Sequence, residues 1–155
     1  MTEPVMTLAE AQAWLRDRID EGETCPCCTQ FAKIYRRRLN ASMARGIIIF
    51  YQTHGVTFGH APSTPGISEL GGEFARLRWW GLIQEALGGR DDGNPHAGWW
   101  QITRPGLHFV HNRIAVPEYA RVYNGRCLNL DDTTTTTIRQ ALGKRFNYDE
   151  LMAGI

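Results

Sequence analysis

The sequence lacks the features that direct a protein into or across a membrane. Residues 1–10 contain Glu3 and Glu10 but no basic segment followed by an apolar run, which argues against a signal peptide. No later segment approaches the ~20 consecutive apolar residues that span a bilayer. We therefore expect a cytoplasmic protein without a membrane partner, whose cysteine thiols stay reduced.

Motifs that accompany catalysis are also missing. There is no Gly-rich phosphate-binding loop, no Ser-centred nucleophile elbow and no zinc-binding helix of the His-Glu-x-x-His type. Asp91 and Asp92 are adjacent, but they lie in a polar segment rich in Gly that would not hold two carboxylates in a fixed geometry. We therefore expect no enzymatic activity.

Charge of one sign is not in excess, since 17 Lys and Arg face 16 Asp and Glu and the formal net charge is +1. Binding to nucleic acid by counterion release needs several phosphate contacts, so any such site must be a local basic patch. The sequence has two basic clusters. One contains Lys33, Arg36, Arg37 and Arg38, and the other contains Arg76 and Arg78. A solvated helix face is the alternative explanation for such runs.

Helices are indicated along the first half of the chain. The 155 residues, 43% of them hydrophobic, suit one domain over 1–155. Thr7 and Glu10 form a capping-box pattern, which predicts a helix over 8–19. A second helix is predicted to begin near Thr29, because apolar residues recur every four positions. These residues are Phe31, Tyr35, Leu39, Met43 and Ile47. A third helix is predicted over 68–80, with Phe74 and Leu77 facing the core.

Strand patterns dominate the second half. Segments 82–87 and 98–103 predict a hairpin with a polar tip, and Thr103 predicts the cap of a following short helix. Asn124 and Gly125 separate two alternating segments and predict a second hairpin. The run 133–137 has the low complexity of a linker, whose end can cap a short helix that contains Ile138 and Leu142.

The order of these elements resembles that of the winged helix-turn-helix superfamily over residues 29–113. Residues 74–83, with the sequence FARLRWWGLI, resemble its recognition helix and first wing strand, and residues 99–103 resemble the returning strand. The whole chain is similar to small phage-encoded proteins. The resemblance implies an α+β, winged-helix-like fold, in which helices pack with a β-hairpin wing and 114–155 adds a hairpin and a short helix. Residues 55–66 are rich in Gly and Pro, so we expect the bracing helix to be very short or missing.

The resemblance implies a DNA-binding regulatory protein in the cytoplasm of the host cell. Arg76 and Arg78 would face the duplex, and Arg90 would lie at the wing. Lys33, Arg36 and Arg37 would contact phosphates. The alternative is a phage protein that uses the winged fold to bind and modulate a host protein. An outward Trp79 would then anchor the interface.

Cys25-Pro26-Cys27-Cys28 is the sharpest local motif. The two-residue spacing of Cys25 and Cys28 allows both sulfurs to bind one tetrahedral zinc ion. His60, Cys127 and His54 are the candidates to complete the site. Unligated thiols near a helix start and a redox-active dithiol are the alternatives.

Overall fold

Helices and antiparallel strands alternate along the computed structural model, which describes residues 6–86 and 98–154 and has an α+β fold. The chain divides into two units. Unit 1 contains the described residues of Met1–Arg37 and Arg121–Asn129, and unit 2 contains those of Arg38–Ala120 and Leu130–Ile155. Within the described ranges, no helix is long and apolar enough to cross a membrane.

Unit 1 begins with helix α1, Leu8–Arg18, which has the predicted capping box. The Glu10 backbone N–H donates to Thr7 Oγ1 at 3.1 Å, and the Thr7 backbone N–H donates to Glu10 Oε1 at 3.3 Å. Strands β1, Glu23–Thr24, and β2, Phe31–Ala32, then pair antiparallel. Strand β3, Tyr35–Arg38, follows. The cysteine motif therefore lies in the turn of a short hairpin.

The predicted start of the second helix near Thr29 is wrong. Helix α2, Ala41–His54, begins after Asn40, whose side chain accepts a hydrogen bond from the Met43 backbone N–H at 2.9 Å. Residues 31–32 and 35–38 form strands instead, and there Phe31 and Tyr35 are exposed. The four-residue spacing of apolar residues does not distinguish a helix from a strand here. A strand has a two-residue period, which also places positions four residues apart on one face.

Helix α2 forms the centre of unit 2. Its fully or nearly fully buried side chains are Met43, Ala44, Ile47, Ile48 and Phe50. Two 3₁₀ segments follow, Ala61–Ser63 and Ser68–Trp80, and then helices α3, Arg104–Val110, α4, Ile138–Leu142, and α5, Tyr148–Met152. The segment Ser68–Trp80 and all three later helices contact α2. Gly46 permits close approach, because a Cβ there would lie 2.6 Å from Leu70 Cδ1.

The segment Ser68–Trp80 has the predicted bounds but is wound as a 3₁₀ helix rather than an α-helix. Gly71 interrupts it with φ 57° and ψ −129°, a conformation that favours glycine. Phe74 and Leu77 are buried as predicted. The Phe74 ring packs against Phe50 with 5.1 Å between ring centroids. The Trp80 indole N–H donates to the Pro117 carbonyl at 2.6 Å.

The strands of a three-stranded antiparallel sheet precede and follow this segment in the sequence. It contains β4, Gly59–His60, β5, Ile83–Glu85, and β6, Trp99–Ile102, in the order β4–β6–β5. The predicted pairing of the two hairpin strands is confirmed, with Ile83 opposite Ile102. The predicted tip, including Arg90, lies outside the described residues. Thr103 caps α3 as predicted.

The second predicted hairpin is also confirmed. Strands β7, Val116–Tyr123, and β8, Arg126–Thr136, flank Asn124 and Gly125, whose φ angles are 51° and 76°. Together with β3 they form a sheet in the order β3–β7–β8. The predicted linker 133–137 is wrong, since β8 continues to Thr136. Threonine is β-branched and favours strands. Thr137 caps α4 as predicted.

Phe74→Ala should lower the free energy of unfolding by ~3–5 kcal/mol. The side chain is only 1% exposed, so its removal leaves a cavity against Phe50. Phe58, which is 41% exposed, provides a matched control. Phe58→Ala should cost less than ~1 kcal/mol, because it opens no cavity. Denaturant unfolding of both variants measures the difference, and equal losses of stability would contradict this assignment of the core.

Candidate functional site

Two arginines of the 3₁₀ segment Ser68–Trp80 lie beside one indole. The guanidinium carbons of Arg76 and Arg78 lie 5.9 and 5.8 Å from the Trp79 ring centroid. Arg78 Nη1 also donates to the Ala75 carbonyl at 2.9 Å. Among the described residues, neither guanidinium forms an ion pair. We name Arg76, Arg78 and Trp79 the Trp79 patch, and its two cations suit an anionic ligand.

The winding of the segment positions the Trp79 patch. A 3₁₀ helix has three residues per turn, so side chains three positions apart share a face. Phe74, Leu77 and Trp80 accordingly form the buried face. Arg76 and Trp79 share a second, half-buried face. Gly81, with φ 72°, ends the segment through hydrogen bonds from its N–H to the carbonyls of Leu77 and Arg78. An α-helix would place Arg76 and Trp79 opposite the core, whereas the 3₁₀ winding leaves both half-buried.

A second basic surface lies in unit 1. Lys33 Nζ and the Arg37 guanidinium carbon each lie 5.3 Å from the Tyr35 ring centroid. Tyr35 is 45% exposed. Arg36, also predicted to contact phosphate, alternates to the other side of the strand. We name Lys33, Tyr35 and Arg37 the Tyr35 patch. Sequence reasoning missed Tyr35 by assigning it to a helix core, although the two-residue alternation of aromatic and basic residues was the available signal.

The cysteine motif forms a tight turn between β1 and β2. The Cys25 backbone N–H donates to the Gln30 carbonyl at 2.8 Å, and the Thr29 N–H donates to the Cys25 carbonyl at 2.9 Å. The Cys27 backbone N–H donates to Cys25 Sγ at 3.4 Å. Thr29 has φ 63°, in the left-handed region that β-branched residues rarely adopt. All the cysteines of the chain are free thiols.

The thiols differ in acidity. Backbone N–H groups of Cys28 and then of Cys27 stabilise the sulfur anion of Cys25, which lowers its pKa below the usual value. Partial desolvation raises the pKa of Cys27 and of Cys127. Cys25 therefore forms a thiolate more readily than Cys27 does.

The other predicted zinc ligands have different partners. His60 Nδ1 lies 2.8 Å from Ser63 Oγ, and the Cys127 thiol donates to the Asn129 carbonyl at 3.5 Å. His54 Nε2 lies 2.9 Å from Thr64 Oγ1. In the part of the chain that the structure describes, no three His, Cys, Asp or Glu side chains form a group that could hold a metal ion.

The outer side of the sheet β4–β6–β5 carries exposed aromatic residues that sequence reasoning did not single out. Trp99 is 38% exposed and lies opposite His60 in the sheet, with 5.2 Å between ring centroids. Phe58, just before β4, is 41% exposed. Alternation along β6 was the available signal, because Trp99 points outward where Trp100 points inward.

Comparison with known proteins adds no relative. No family model, curated protein or solved structure matches the chain. Because one fold can host many functions, the chemistry of the surfaces described above bears on function alongside the order of elements.

Alkylation should separate the thiols in metal-free protein. We expect the alkylation rate of Cys25 to rise at lower pH than that of Cys27, because only the thiolate reacts and the pKa values shift in opposite directions. Iodoacetamide labelling from about pH 6 to about pH 10, followed by peptide mass spectrometry, gives the two profiles. Cys127 serves as a partly buried reference. Coinciding profiles for Cys25 and Cys27 would contradict the assigned hydrogen bonding.

Proposed function

We propose that this chain is a phage-type winged-helix protein that binds double-stranded DNA and acts as a regulator rather than an enzyme. The observation that carries the proposal is the order of elements in unit 2. Helix α2 and strand β4 precede the segment Ser68–Trp80, and β5 and β6 follow as a hairpin. The returning strand β6 pairs with both β4 and β5. Helix, strand, helical segment and hairpin is the order that the winged-helix resemblance implies.

The segment Ser68–Trp80 takes the position of a recognition helix in this proposal. A helix-turn-helix normally braces that element with a preceding helix, whereas here only the 3₁₀ turn Ala61–Ser63 precedes it. Contacts with α2 supply the support instead. Phe74 packs against Phe50, and Asn40 Nδ2 donates to Glu73 Oε1 at 2.8 Å. An element held in this way can present its remaining side chains in a defined orientation.

The Trp79 patch has suitable chemistry for a duplex. A guanidinium donates paired hydrogen bonds to phosphate oxygens or to guanine O6 and N7. Arg78 is already oriented by its hydrogen bond to Ala75, and the indole limits the freedom of both arginines. Lys33 and Arg37 of the Tyr35 patch, with Arg36, are proposed as phosphate contacts. Arg90, predicted from the sequence to lie at the wing, is proposed as a contact with the DNA backbone.

Binding to a host protein is the second candidate. The exposed Phe58 and Trp99 beside His60 favour it, since aromatic residues are enriched at protein interfaces and duplex DNA offers them little to pack against. Under this candidate, the outer side of the sheet β4–β6–β5 would contact the partner. Trp79, expected from the sequence to anchor such an interface, is half-buried, so the exposed Trp99 takes that place here. The two candidates thus assign different surfaces of unit 2, which makes them separable by substitution.

Arg76→Ala should weaken DNA binding by ~1–3 kcal/mol at a specific site, because it removes a charged contact. On mixed-sequence duplex, the double variant Arg76→Ala, Arg78→Ala should reduce the salt slope by about one for each phosphate that the protein no longer neutralises. Arg113→Ala is the matched control, as it removes one exposed arginine outside the segment and leaves its winding intact. Fluorescence anisotropy titrations at two salt concentrations measure both quantities.

Aromatic substitutions distinguish the candidates. In a DNA-binding protein, Trp79→Ala should weaken binding less than Arg76→Ala does, and Trp99→Ala should have no effect. At a protein interface, an anchoring tryptophan contributes ~2 kcal/mol or more of binding free energy, so Trp99→Ala should then weaken binding of the host protein by that amount. Retention of a host protein that Trp99→Ala abolishes, together with no salt-dependent DNA binding by the wild type, would reject the first candidate in favour of the second.

A further inference from the structure

We propose that the Cys25 and Cys28 thiolates bind one zinc ion together with the same two residues of a second copy of the chain. The site would join two copies through the turns between their β1 and β2 strands. It lies in unit 1 and is independent of the DNA-binding proposal, which rests mainly on unit 2.

The turn holds the two cysteines close together. Its ends are tied by the bonds from Cys25 N–H to Gln30 and from Thr29 N–H to Cys25, and the pairing of Thr24 with Phe31 continues the hairpin. Two sulfurs three positions apart in such a turn can reach neighbouring vertices of a tetrahedron around zinc. Zinc has a natural preference for thiolate sulfur, and both thiols are free.

Backbone groups already point at one of the proposed ligand atoms. The Cys27 N–H donates to Cys25 Sγ at 3.4 Å, and such a bond stabilises a thiolate and orients it toward a metal. Thr29 has a left-handed conformation, which closes the turn directly after Cys28. Its hydroxyl donates to the Cys28 carbonyl at 2.5 Å. The turn is therefore arranged for ligation before any metal arrives.

A second copy is the proposed source of the remaining ligands. A structural zinc site takes four, and two cysteines supply half. No third metal-binding side chain joins them among the described residues. Cys27 and Cys28 are exposed, so one turn can approach another. Phe31, directly after the turn, is 64% exposed and would be covered by a second copy. Four thiols would lose their protons to solvent as they bind one ion.

Zinc content and mass together test the proposal. Full-length protein purified without added metal should contain ~0.5 zinc per chain and sediment as a dimer. A chelator should convert it to monomer, and stoichiometric zinc should restore the dimer. Cobalt(II) in place of zinc should give the intense visible absorption of tetrahedral thiolate coordination. The double variant Cys25→Ser, Cys28→Ser should lose both metal and dimer.

Matched controls come from the other cysteines. Cys27→Ser and Cys127→Ser each remove one thiol of the same unit and should keep metal and dimer. One zinc per chain in a monomer would overturn the proposal and indicate ligands from within one chain. A dimer that forms equally with and without zinc would also overturn it. Both outcomes are measured on the wild type, so the test stands even if the double variant fails to fold, and neither outcome depends on DNA binding.

Discussion

Burial of helix α2 is the constraint on which unit 2 depends. Met43, Ile47 and Phe50 expose at most 1% of their surface, so several elements must cover the helix at once. The segment Ser68–Trp80 and helices α3, α4 and α5 do so. Each buried side chain of this size is worth roughly 1.5–3 kcal/mol, so one helix carries a large share of the stability of the unit. The elements that cover it have little freedom in where they lie.

The Trp79 patch is a consequence of that packing. Phe74 and Leu77 occupy the side of the segment that faces the core, and the three-residue repeat then leaves Arg76 and Trp79 on a neighbouring side. Burial of the apolar residues therefore sets the orientation of the charged ones. A side chain held by packing loses less entropy when it binds a ligand, which is why a site on such an element can be specific.

Unit 1 relies more on local hydrogen bonds. Its cysteine turn is closed by backbone bonds within a few residues, and few large side chains are buried nearby. The Tyr35 patch arises because Tyr35 is exposed at the start of β3, directly after the buried Ile34. Two kinds of surface thus occur in one small chain. One is positioned by a core, and the other by a turn and a strand.

Caps and turns were determined by the sequence itself. Thr7 bonds to Glu10 three residues away, and Asn124 and Gly125 accept the positive φ that a tight hairpin requires, so both act within the range that local spacing encodes. Only the tertiary structure decided that 31–32 and 35–38 form strands, because the Ile34 N–H donates to the Ile19 carbonyl and β3 pairs with β7 far along the chain. Such partners become neighbours only when the chain folds, and burial then selects between periods that a short apolar pattern satisfies equally well.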